Sequence, residues 1–123
     1  MPIMQDGILM PITICDHPKI LIVDDDPDNH SAIGFHLGMY GLKYDSAFNG
    51  QLGIDMVKKK EADQKCNCIY KLIIMDCNMP LMNGYTACNI LKNLMKKGKL
   101  KKAFIVAYTG EDSLENVKKC KRF

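Results

Sequence analysis

The residues best suited to chemistry in this 123-residue chain are carboxylates and a hydroxyl placed at the ends of apolar runs. Residues 20–23 run into Asp24, Asp25 and Asp26; residues 72–75 run into Asp76; residues 103–107 are followed by Tyr108 and then Thr109. Three adjacent like charges at the end of a buried strand repel one another unless a cation relieves them. In an open parallel sheet the carboxyl ends of the strands share one crevice, so Asp24, Asp25, Asp76 and Thr109 are expected to converge there. Oxygen ligands of this kind suit a hard cation such as Mg²⁺. A carboxylate beside such a cation can attack a phosphoryl group and form an acyl phosphate. The Thr109 hydroxyl can then donate to a phosphoryl oxygen, and Gly110 leaves backbone space beside it. An EF-hand reading of Asp24, Asp26 and Asp28 fails, because Asn29 stands where that loop needs Gly and Phe35 where it needs a bidentate Glu.

The elements that must position these groups alternate along the chain. Strand-like runs at 20–23, 42–47, 72–75 and 103–107 are each followed by a helix-like stretch, at 28–40, 51–60, 85–97 and 113–119. The first, third and fourth runs are nearly continuously apolar, as in a parallel sheet covered on both faces, whereas the second alternates and belongs at an edge. This predicts an α/β doubly wound parallel sheet. Asp26 and Pro27 open the first helix, Gly41 closes it, and Asn49-Gly50 marks the turn into the second. Gly34 and Gly38 cost that first helix about 1 kcal/mol each relative to Ala, so it is expected to rely on packing through Ile33, Phe35, Leu37 and Met39. Residues 61–71 read as a polar loop. Residues 1–19 stand outside the alternation, as an N-terminal extension or linker contributing one extra strand.

Composition narrows the classes. With 47% hydrophobic and 25% charged residues, the chain is an ordinary globular domain with one core. The apolar runs are strand-sized and no basic leader precedes them, which argues for a cytoplasmic protein without membrane contact. Six cysteines without regular spacing or an export signal read as reduced thiols, and Cys66 with Cys68 lacks further ligands at zinc spacing. The net charge of +3 sits in lysine clusters near helix ends, without the interleaved aromatics that stack on bases. A solvated, dipole-matched surface is preferred to nucleic-acid binding.

In residues 20–29, 47–50, 72–84 and 105–110, in that order, the chain resembles the receiver domain of two-component response regulators and hybrid histidine kinases. The resemblance implies a flavodoxin-like strand order 2-1-3-4(-5). It also implies that Asp76 accepts phosphoryl from a phosphohistidine on a histidine kinase or histidine phosphotransfer protein. Asp25, Asp76 and the backbone carbonyl of Asn78 would ligate Mg²⁺ directly, Asp24 would act chiefly through a bound water, and Thr109 would be the switch hydroxyl. Pro80 and Gly84 would shape the loop after Asp76, while Asn78 and Glu111 would tune the lifetime of the acyl phosphate.

The family also places a lysine, usually followed by proline, at the end of a fifth strand. Lys118, Lys119 and Lys121 do not match it, and the chain stops at Phe123 in or just after the fourth helix. Residues 20–123 are therefore expected to be a receiver lacking its fifth strand and helix, with the fourth strand open to dimerisation. Two other readings compete. A haloacid-dehalogenase-type phosphohydrolase would use Asp24 and Asp26 as its acidic pair but leaves Asp76 unexplained. A pseudo-receiver that only binds partners would not need Asp24, Asp25, Asp76 and Thr109 all intact.

Overall fold

The computed structural model describes residues 2–5, 8–11, 16–63, 68–79 and 82–108. Its main sheet has four parallel strands: β3 (Ile20–Val23), β4 (Tyr44–Ala47), β5 (Leu72–Asp76) and β6 (Phe104–Tyr108), in the order β4-β3-β5-β6. This is the expected order 2-1-3-4, with the alternating strand at one edge. Ahead of it, β1 (Pro2–Gln5) and β2 (Ile8–Pro11) pair antiparallel, so the N-terminal stretch holds two short strands rather than the one expected.

Three helices connect the parallel strands: α1 (Pro27–Met39), α2 (Gly50–Ala62) and α3 (Gly84–Lys96). Each begins on a side chain that accepts a hydrogen bond from an otherwise orphaned amide: Asp26 from Asp28, Asn49 from Leu52, and Asn83 from Thr86. Gly41, at φ 69°, ends the first helical unit in the left-handed region, and Leu42 follows it exposed. This turn delays β4 to Tyr44, two residues later than expected. Lys59 and Lys60 fall in the last turn of α2 and Lys96 in that of α3, where cations complement the helix dipole.

The core lies between the sheet and one helical layer. Leu21, Val23, Ile73 and Met75 meet Ile54 and Val57 of α2 and Ala87, Cys88 and Leu91 of α3. Alternation along each strand puts these residues on one face. Leu91 is fully buried there, and truncating it to Ala should cost about 2–5 kcal/mol. On the opposite face α1 packs against β4, where the Tyr44 ring lies so close to Gly34 that a Cβ would collide with it. Gly34 is thus a packing requirement rather than a defect.

The expectation for α1 needs correction. Ile33 and Leu37 are half-buried, but Phe35 and Met39 are 69% and 68% exposed. Apolar residues at every second position point to different sides of a helix with 3.6 residues per turn, so one packing face cannot collect all four. The fourth expected helix, at 113–119, lies outside the described residues.

Candidate functional site

The acidic crevice forms because β3 and β5 are neighbours in register, with Val23 opposite Met75. Asp24 and Asp76 are therefore delivered side by side, and Asp25 follows on the loop. One carboxylate oxygen from each of the three lies within 4.8 Å of the others. Asp24 and Asp76 are buried and Asp25 is exposed.

Asp24 is held from several directions. Its amide donates to the Ala47 carbonyl at 3.0 Å, which fixes the backbone as it leaves β3. Its Oδ1 accepts the Asp26 amide at 2.8 Å, and its Oδ2 accepts Asn29 Nδ2 at 2.9 Å and also the Tyr108 hydroxyl. The Asp24 carbonyl lies 2.7 Å from His30 Nε2. A carbonyl can only accept, so Nε2 is the donor; Nδ1 is buried with no hydrogen-bond partner among the described residues. The imidazole rests against Phe48 with ring centroids 4.5 Å apart.

Asp76 accepts the Asn78 amide at Oδ1, 3.0 Å away. Burial is the largest influence on its acidity and raises its pKa from 3.8 to about 6; the Asn78 hydrogen bond opposes this, and the Asp24 and Asp25 charges add to it. A carboxylate so placed is short of positive charge. Among the described residues no lysine or arginine is ion-paired with the triad; the ion pairs seen are Lys43–Asp16 and Lys60–Asp45. Three carboxylate oxygens with no ion-paired cation among the described residues form a donor set suited to a hard divalent cation.

Behind the triad, Gly84 lets the start of α3 sit directly on the end of β5. Its amide donates to the Cys77 carbonyl at 3.2 Å, and a Cβ there would collide with the Asp76 carbonyl and lie 2.8 Å from the Cys77 Cα. No side chain larger than hydrogen fits.

Of the residues singled out from sequence, Asp24, Asp25 and Asp76 are brought together, and Asn78 touches the triad through its amide. Asp26 stands apart: exposed, it caps α1 by accepting the Asp28 amide at 2.9 Å. That occupation removes the acidic pair a haloacid-dehalogenase-type mechanism would need. Thr109, Pro80 and Glu111 lie outside the described residues. Cys77 and Cys88 are buried thiols outside any disulfide, whereas Cys68 is disulfide-bonded, which corrects the expectation of reduced thiols throughout.

Asn29 and Tyr108 were missed as contributors. Asn29 follows Asp24 by five residues across a helix cap, a spacing that brings the two side chains together. Tyr108 had no comparable signal, because it reaches Asp24 only through the sheet register that pairs it with Asp76. Burial, then the bond to Asp24, pushes its hydroxyl well above the usual phenol range, so it acts as a donor.

Comparison with known proteins agrees with this geometry. The chain is 35% identical over 82 residues to hybrid signal transduction histidine kinase F of Dictyostelium discoideum, covering 67% of this chain and 7% of that protein. It is 32% identical over 94 residues to the autoinducer 1 sensor kinase/phosphatase LuxN of Vibrio campbellii, covering 76% of this chain and 10% of that one. The chain thus spans a tenth or less of the length of these relatives. Among solved structures, the receiver domain of the histidine kinase CKI1 from Arabidopsis thaliana, complexed with Mg²⁺, superposes with a TM-score of 0.70 at 23% identity. That match covers 84% of this chain and 75% of the other. Vibrio cholerae chemotaxis protein CheY4 gives a TM-score of 0.61 at 26% identity, covering 85% and 78%. No helix among the described residues is long and apolar enough to cross a membrane. The family model of the response regulator receiver domain matches residues 20–123, the span that begins at the first parallel strand, and the chain belongs to that family.

Proposed function

We propose that this receiver accepts a phosphoryl group on Asp76 from a phosphohistidine carried by a histidine kinase or histidine phosphotransfer protein. The observation that carries the reading is the triad of the buried Asp24 and Asp76 with the exposed Asp25, three oxygens within 4.8 Å that no cation among the described residues is ion-paired with. A carboxylate oxygen of Asp76 forms the new O–P bond as the P–N bond to imidazole breaks, and the nitrogen leaves with the electron pair. The role is that of a phosphoacceptor in a relay, not of a turnover enzyme acting on a free substrate.

The oxygen donors fit Mg²⁺: as the family resemblance implies, Asp25, Asp76 and the Asn78 backbone carbonyl would hold it directly, and Asp24 would act chiefly through water. Bound there, Mg²⁺ supplies the positive charge that lets an anionic carboxylate and an anionic phosphoryl group approach. Thr109 is proposed as the hydroxyl that closes on the phosphoryl group afterwards, and residues 1–19 as an extension or linker. The fold suits a cytoplasmic receiver within a longer hybrid kinase. β6, an edge strand among the described residues with Phe104 80% and Val106 52% exposed, is the proposed surface for pairing with a second chain.

The test is labelling of the full-length protein with a phosphohistidine donor or a small phosphodonor in the presence of Mg²⁺. Acid-stable, base-labile label is expected, and it should vanish in Asp76→Asn. Label that persists in that variant, or that maps to Asp24, overturns the assignment.

A further inference from the structure

A carboxylate has two oxygens and about four lone-pair positions in all. On Asp24 the fold already fills three: the Asp26 amide on Oδ1, and Asn29 Nδ2 with the Tyr108 hydroxyl on Oδ2. Asp76 also shares a side-chain hydrogen bond with Asp24, a contact that gives way once Asp76 has lost its proton to a cation; of the positions not filled by Asp26, Asn29 and Tyr108, one is left, on Oδ1. Asp24 can therefore offer a cation in the triad, or water bound to it, a single oxygen, and its second oxygen is turned away by a phenol from a strand two places across the sheet. Asn29 comes from the first turn of α1, beside Asp24 in sequence. Tyr108 is 84 residues distant and reaches the same oxygen across the end of β5, where it is the register partner of Asp76. A phenylalanine would fill the same space but leave Oδ2 with a free lone pair.

The number of oxygens on offer matters because hard cations differ in what they accept. Mg²⁺ requires near-octahedral geometry, keeps several waters and is satisfied by one oxygen from each carboxylate. Ca²⁺ takes roughly six to eight oxygens and readily binds a carboxylate through both. We propose that Tyr108 is a specificity-determining positioning residue: by engaging Oδ2 of Asp24 it confines that carboxylate to one available oxygen and disfavours Ca²⁺ relative to Mg²⁺.

The inference rests on the triad being the cation site, and the experiment separates the two. Mg²⁺ and Ca²⁺ are titrated separately by calorimetry into the full-length protein, its Tyr108→Phe variant and a Tyr40→Phe control on the exposed end of α1. The ratio of the Ca²⁺ to the Mg²⁺ dissociation constant is expected to fall about threefold to tenfold in Tyr108→Phe, the scale of one hydrogen bond, and to stay constant in Tyr40→Phe. A purely structural role would lower thermal stability without moving this ratio. A ratio unchanged in a folded Tyr108→Phe overturns the role of Tyr108 while leaving the site standing. Failure of the parent to bind either ion overturns the site and this role together. Should the variant not fold, tyrosine ¹³Cζ resonances of the parent decide. A Tyr108 signal that shifts with the same midpoint as Mg²⁺ binding supports the proposal, and a signal that ignores the titration overturns it.

Discussion

The two ends of the parallel sheet each pair a tyrosine with an aspartate, and the difference between the pairs separates a site from a strut. At the amino end, the Tyr70 hydroxyl donates to Asp45, whose carboxylate also faces Lys60 at 3.6 Å. The same ammonium lies 4.1 Å above the Tyr70 ring and donates to the Pro18 carbonyl. That group supplies its own counter-charge. At the carboxyl end, Tyr108 donates to Asp24, but the neighbours are Asp25 and Asp76, and no cation of the described chain answers them. A cluster whose charges balance can be explained by folding alone. One that leaves three carboxylates facing each other has a reason to exist only when something else arrives.

The largest expected effect falls on the unbalanced end. Asp25→Ala removes the exposed carboxylate of the triad without opening the core, and Mg²⁺ affinity should drop at least about tenfold, since only one or two carboxylates hold such an ion and the loss of one is felt directly. Binding by that variant as tight as by the parent would break the comparison, because the carboxyl end would then need no cation.

Asp76 sharpens it through pH. Its folded pKa, about 6, lies above the ordinary 3.8, so the folded, cation-free chain favours the protonated form. That contribution to stability is complete below pH 3.8 and is lost as pH rises through about 6. Melting temperature without divalent ions should fall over this window, with saturating Mg²⁺ reversing the loss at pH 7. Because the ion must displace that proton, Mg²⁺ affinity should weaken about tenfold from pH 7 to pH 5. A flat affinity profile would show that Asp76 is not a ligand.

Smaller effects distinguish the two tyrosines. Tyr70→Phe removes a hydrogen bond from a balanced cluster and should cost about 1 kcal/mol of stability by denaturant unfolding, leaving Mg²⁺ affinity untouched. Any change in metal binding there would mean that the two ends communicate. Asp26→Ala should cost about 1 kcal/mol through loss of the α1 cap, again with Mg²⁺ affinity retained. A collapse of metal binding in that variant would return Asp26 to the site.

The triad and the edge position of the second strand were legible because the signals were local, whereas the full strand order came from the family resemblance. β3 and β5 are unbroken apolar runs that end in carboxylates, and a parallel sheet leaves such ends only one place to meet. Tyr108 was not legible, since its meaning depends on β6 starting and ending one residue later than the apolar run suggested and on Asp24 lying two strands away. The exposure of Phe35 and Met39 was equally hidden. Hydrophobicity shows that a residue would gain from burial, but only the three-dimensional arrangement shows whether a surface is there to bury it.

The contact at Gly84 has a mechanical consequence. α3 is a rod of 13 residues, about 20 Å long, and its first turn is seated on the peptide that carries Asp76. Without a side chain between them there is no compliant spacer, so a displacement of that peptide is delivered to the rod at its pivot. A tilt of about 5° there moves the far end, at Lys96, by ~2 Å. The fold therefore contains a lever whose short arm is the Asp76 backbone and whose long arm ends on the opposite, lysine-rich side of the molecule.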